Sequence, residues 1–124
     1  MRTTRRFGRD VAEIPRSRHY VADVLARAGA EATDALLLVA SELITNAVRH
    51  GVGDVELRVI VEPECVRLEV LDDGHVTVAA PAESPAPSAL GGRGLLLVEG
   101  VADRWGSEFE SDGRTLVWAE VSRG

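Results

Sequence analysis

Two short runs near the middle of the chain change character residue by residue. Val55-Glu56-Leu57-Arg58-Val59-Ile60-Val61 alternates as a strand should, and Val66-Arg67-Leu68-Glu69-Val70-Leu71 does so again. A period of two is that of a strand with one dry face and one wet face. Pro63 and Glu64 make the turn between the runs, which together predict a hairpin. The dry face must be covered, and the preceding segment can cover it. Residues 31 to 50 carry Leu36, Val39, Ala40, Leu43 and Ala47 along one helical stripe, and Gly51 and Gly53 close the helix. Helix on sheet is therefore the architecture to expect.

The remaining segments fit this layering. Residues 3 to 14 alternate loosely and can hold a short first strand. Pro15 suits the first turn of a helix, where no N–H is needed, and Val21, Val24, Leu25 and Ala28 follow a helical spacing up to Gly29. Residues 75 to 90 contain Pro81, Pro85 and Pro87 and form a longer loop than compact connections usually have. Such a loop is either a lid or a plain excursion. Gly94 to about Val101 reads as a third helix, wrapped by Leu95, Leu96, Leu97 and Val98. Trp105 to Glu110 and Thr115 to Val121 read as two strands turned by Asp112-Gly113, with Trp118 in the core. The predicted fold class is α+β: a two-layer sandwich of a mixed, mostly antiparallel sheet with helices on one face. At 124 residues the chain is expected to be one domain, 1–124, with a lid loop at about 75–91.

Composition excludes several chemistries. The net charge is −6 and the chain has no basic block beyond the arginines at 2, 5, 6 and 9, so direct nucleic-acid binding is not expected. A single cysteine, Cys65, allows no internal disulfide; it sits in a strand-like run as a small buried residue, and a reducing, cytoplasmic setting fits. No stretch is apolar enough to span a membrane. All 14 basic residues are arginine. Without lysine there is no P-loop, no kinase strand lysine and no Schiff base. A nucleotide, if bound, is held by another scheme.

Three spaced features supply one. Glu42 and Asn46 stand four apart and share a helix face beside the core stripe. The amide oxygen of Asn46 suits Mg²⁺, and Glu42 can deprotonate an attacking hydroxyl; taken alone, the two are also an ordinary helix-surface pair. Asp72 ends the second hairpin strand, with Gly74 two residues on. Its carboxylate can accept a hydrogen bond from the exocyclic amine of adenine, although Asp-Asp-Gly is also common turn chemistry. Gly91-Gly92-Arg93-Gly94 leads into a helix. Glycines admit an anion to the backbone and a helix N-terminus offers free N–H groups, which makes a phosphate cradle. Arg93 either adds a charged contact or is merely solvated. His50, at the end of the long helix near its core side, reads as structural or as complementing the helix dipole. His19, His75 and Cys65 show no zinc spacing.

In this order the motifs resemble the ATPase domain shared by gyrase B, the ninety-kilodalton heat-shock chaperone, histidine kinases and mismatch-repair ATPases, the GHKL superfamily with its Bergerat-type ATP-binding fold. Within it the chain looks like the short, free-standing anti-sigma-factor serine kinases of bacteria, over about residues 10 to 122. Glu42-x-x-x-Asn46-Ala47 with His50-Gly51 matches the first box, Asp72-x-Gly74 the second, and Gly92-x-Gly94-Leu95 with Leu97-Val98 the third. Gly113-x-Thr115 matches the closing segment.

The resemblance implies roles for these positions. Glu42 would be the general base and Asn46 the Mg²⁺ ligand. Asp72, with Gly74, would bind the adenine amine, and Thr115 would support that pocket. The backbone around Gly92, Arg93, Gly94 and Leu95 would meet the phosphates. The cofactors implied are ATP and Mg²⁺. The implied partners are a sigma factor, which it would sequester, and an anti-sigma antagonist, which it would phosphorylate on serine; because the family often forms dimers, a homodimer is also allowed. Val76 stands where the second box usually has a further glycine, and the lid carries little charge. An alternative reading rests on that departure: a nucleotide-gated protein-binding module without significant kinase activity.

Overall fold

The computed structural model describes residues 1–73 and 93–123, with the backbone alone at residues 93–96. Along these residues run β1 (Arg2–Phe7), α1 (Glu13–Arg27), α2 (Asp34–His50), β2 (Val55–Val61), β3 (Cys65–Asp72), α3 (Arg93–Val101), β4 (Arg104–Phe109) and β5 (Thr115–Ser122). This is the expected order. The segment proposed as a lid lies outside the described residues.

Local chemistry sets the helix ends. Before α1, the side chain of Asp10 accepts the Ala12 N–H at 3.0 Å, and Pro15 falls in the first turn. At the far end Gly29 takes a positive φ of 71°. There the Gly29 N–H donates to Ala26 O and the Ala30 N–H reaches back to Leu25 O at 2.8 Å, the paired bonds of a Schellman end. The side chain of Thr33 caps α2 by accepting the Leu36 N–H at 3.2 Å. Asp34 in the first turn and Arg49 and His50 in the last complement the helix dipole.

The sheet has five strands in the order β1-β2-β3-β5-β4, and each described pairing is antiparallel. The helices cover one face, with α2 packed between α1 and α3 and against β3 and β5. The core forms where the α2 stripe (Leu36, Val39, Ala40, Leu43, Ile44, Ala47, Val48) meets Leu57 and Val59 of β2, Leu68 and Val70 of β3, and Val117 and Ala119 of β5. Fully burying one such side chain contributes about 1.5–3 kcal/mol.

β2 alternates between buried and half-buried throughout, as its sequence implies. β3 does not, because Glu69 and Leu71 are buried on the face turned away from the helices. It is the middle strand, so neighbouring side chains close over it from both sides. Leu71 is paired in register with Leu116. Both are buried, yet neither belongs to the main core cluster.

Two expectations are corrected here. Trp118 is not in the core. It faces outward, in register with Glu69 and Gly106, with the Arg67 guanidinium carbon 4.1 Å from a ring centroid. A Cβ on Gly106 would lie 2.9 Å from the indole, so glycine is what leaves room for the ring. Leu116-Val117-Trp118-Ala119 is apolar throughout, so its pattern could not say which residues face in. Cys65 is half-buried rather than buried; burial raises its thiol pKa, helped by Glu120, Glu62 and Glu64.

Candidate functional site

The last turns of α2 meet the end of β3 and the start of β5. Glu42 and Asn46 are both half-buried, flanked by the buried Leu43 and Ala47, as expected for a face at the core margin. Asn46 Oδ1 is buried and accepts no hydrogen bond among the described residues. A buried oxygen left unpaired costs about 1–3 kcal/mol. Such an oxygen, at the edge of a helix and beside a carboxylate one turn away, suits a hard cation that takes oxygen ligands.

Asp72 and Thr115 come together although 43 positions separate them in sequence: they are register partners on the helix-facing side of the sheet, and only 7% and 4% exposed. The chain leaving α2 is fitted closely against this pair. The Gly51 N–H donates to Ala47 O at 2.8 Å, and the Asp73 N–H donates to Val52 O at 2.9 Å. A Cβ on Gly51 would stand 2.7 Å from Asp72 Cγ and 2.5 Å from Ala47 O. Gly51 thus lets the Asp72 carboxylate sit against the end of α2. Gly53, at φ 74°, turns the chain past Asp73 in the same way. Arg9 holds the helix end from outside, its Nε donating to Val48 O at 3.0 Å.

Of the expected site residues, Glu42, Asn46, Asp72 and Thr115 lie in this region. Gly94 and Leu95 fall in the first turn of α3, which packs along α2, and Arg93 begins that helix. The side chains of Arg93 and Leu95, and all of Gly74, Gly91 and Gly92, lie outside what is described. One neighbour departs from expectation. His50 is exposed rather than turned toward the core. Ser41 is engaged by Arg18, whose Nη1 donates to its Oγ at 3.3 Å. The contact between Gly51 and Asp72 is not visible in the sequence. Its local signal, a glycine after a helix, is the same as for any helix end.

Comparison with known proteins gives the class. The model of the histidine kinase-like ATPase domain matches residues 7–120, and the chain belongs to that family. Among solved structures, it is similar to the RsbU and RsbW domains of Rv1364c from Mycobacterium tuberculosis. The TM-score is 0.71 at 19% identity, over all of this chain and 33% of that one. This chain therefore spans about a third of that structure's length, and the likeness is one of fold. No curated protein matches it in sequence. No described helix is long and apolar enough to cross a membrane.

Proposed function

We propose that this chain is an ATP-binding anti-sigma regulatory factor. In this reading it transfers phosphate to a serine of an anti-sigma antagonist and sequesters a sigma factor, in the cytoplasm. The observation that carries the reading is Asn46 Oδ1, unpaired among the described residues, one helical turn from Glu42 and on the helix that abuts Asp72. The family and the likeness to a chain that includes an RsbW domain add support.

Asp72 would accept the adenine amine, with Thr115 beside it, and the start of α3 would face the phosphates. Asn46 would hold Mg²⁺, which supplies charge neutralisation on the phosphate oxygens when bound. Glu42 would take the proton of the serine hydroxyl as the Ser O–P bond forms and the bond from the γ-phosphorus to its bridging oxygen breaks, leaving ADP. A general base of this kind contributes about 10²–10⁴-fold in rate.

The test uses labelled ATP and the partner co-purified from the native cell. Wild type should phosphorylate it, and Glu42→Ala should bind ATP yet transfer no measurable phosphate. If wild type transfers none while nucleotide still changes its affinity for the partner, the alternative holds: a nucleotide-gated binding module, the reading that Val76 favours. If Glu42→Ala transfers at the wild-type rate, the base is another group.

A further inference from the structure

The turn that leads into Thr115 is tied to a strand that is not its neighbour. Within the turn, the Gly113 N–H donates to Glu110 O and the Glu110 N–H to Arg114 O. Arg114 Nε donates to Asp112 Oδ2 at 2.8 Å, and its backbone N–H to Oδ1 of the same carboxylate at 3.0 Å. Its Nη1 then reaches Glu56 Oε1 on β2 at 3.2 Å. β3 lies between β2 and β5, so this contact spans a whole strand. A second pair, Arg58 with Glu110 at 3.7 Å, ties the same turn to β2.

Arg114 shares the outer face with Leu116, and Glu56 is the register partner of Leu71. The contact therefore runs obliquely over β3, from the residue two before Leu116 to Glu56 at the β2 end of the row that the two outer-face leucines occupy. Leu71 and Leu116 are in turn the sequence neighbours of Asp72 and Thr115. Successive residues of a strand point to opposite faces, so whatever holds the outer row in place also holds the inner row behind it.

We propose that Arg114, forked between Asp112 and Glu56, positions the base end of the nucleotide site by pinning the start of β5 so that Thr115 stays in register with Asp72. This rests on reading that pair as the adenine pocket. Arginine is required rather than lysine because a planar guanidinium can serve two carboxylates from separate nitrogens in fixed directions. As isolated partly exposed ion pairs these contacts would contribute little to stability; their role is placement.

The experiment measures Mg·ADP and Mg·GDP binding by calorimetry, with melting temperatures, for wild type, Arg114→Ala, Glu56→Gln, the double variant and Arg67→Ala. Arg67→Ala breaks the neighbouring outer-face pairs with Glu69 and Glu120 away from Asp72. Arg114→Ala and Glu56→Gln should each weaken ADP about tenfold and narrow its advantage over GDP, and the double variant should be no worse than the weaker single one. Arg67→Ala should melt earlier with that preference intact. If both latch variants keep wild-type ADP affinity and preference while melting earlier, Arg114 is only a staple and the proposal is overturned, with the nucleotide reading standing. If wild type binds neither nucleotide, that reading fails and the positioning role falls with it.

Discussion

On the helix side of β2, Val55, Leu57 and Val59 are wholly buried in the core; on the other side of the same strand, Glu56 and Arg58 join a lattice of ion pairs. The lattice continues across the sheet. Arg58 pairs with Glu69, Glu69 with Arg67, and Arg67 with Glu120, which also meets Arg104. One face is held by non-directional burial and hosts the candidate site. The other is held by directional contacts between arginines and carboxylates. The inner face should therefore respond to lost volume, and the outer face to lost geometry or charge.

The largest expected effect tests the first half of that contrast. Leu43→Ala empties a wholly buried position under the sheet and should cost about 2–5 kcal/mol in chemical denaturation. Gly51→Ala comes next. Its methyl would collide with the Asp72 carboxylate and with the Ala47 carbonyl, a backbone atom that cannot rotate away. A cost of about 1–3 kcal/mol is expected, with a larger loss of adenine-nucleotide binding than Leu43→Ala gives when both are measured well below their melting points. Equal binding in Gly51→Ala and wild type would remove Gly51 from the site.

On the outer face, Arg67→Ala removes two ion pairs and the cation over Trp118. About 1 kcal/mol is expected for the set; a loss as large as that of Leu43→Ala would erase the distinction between the faces. Acid should separate them too. Burial alone would raise the Glu56 pKa, but hydrogen bonds from Arg58 and Arg114 outweigh it and hold the carboxyl below 4.5. A depressed carboxylate stabilises the fold above its unfolded value and loses that contribution as pH falls through the folded one. Between roughly pH 5 and pH 3 wild type should therefore lose more melting temperature than Glu56→Gln. The smallest expected effect is on the stability of Asn46→Ala. Removing the buried oxygen relieves its cost of about 1–3 kcal/mol, which offsets the packing lost with the side chain, so the melting temperature should stay close to wild type or rise slightly, while Mg²⁺ no longer strengthens ATP binding. A clear loss of stability would mean that Asn46 is structural.

The elements were legible because their periods are clean. The α2 stripe and the alternation in β2 each admit one reading, and the order of elements followed. What stayed hidden depends on register. Glu56 and Arg114 are 58 residues apart and Arg67 and Glu120 are 53, and no local pattern pairs them. Trp118 was misplaced because its neighbours are apolar on both sides. The candidate site divides the same way. Glu42 and Asn46 were visible as one turn of one helix. The meeting of Asp72 with Thr115 required strand pairing, and its contact with Gly51 required tertiary packing.

The two tryptophans turn the contrast into something that can be watched. Trp105 packs against the core, in register with Ala119, just after α3. Trp118 stands on the opposite side of the sheet under a guanidinium. Replacing either by phenylalanine leaves a single tryptophan, excited selectively over Tyr20 at the red edge of its absorption, one behind the helices and one before the charged lattice. Light emitted from each would then report separately on whether a bound molecule disturbs one side of the sheet or both.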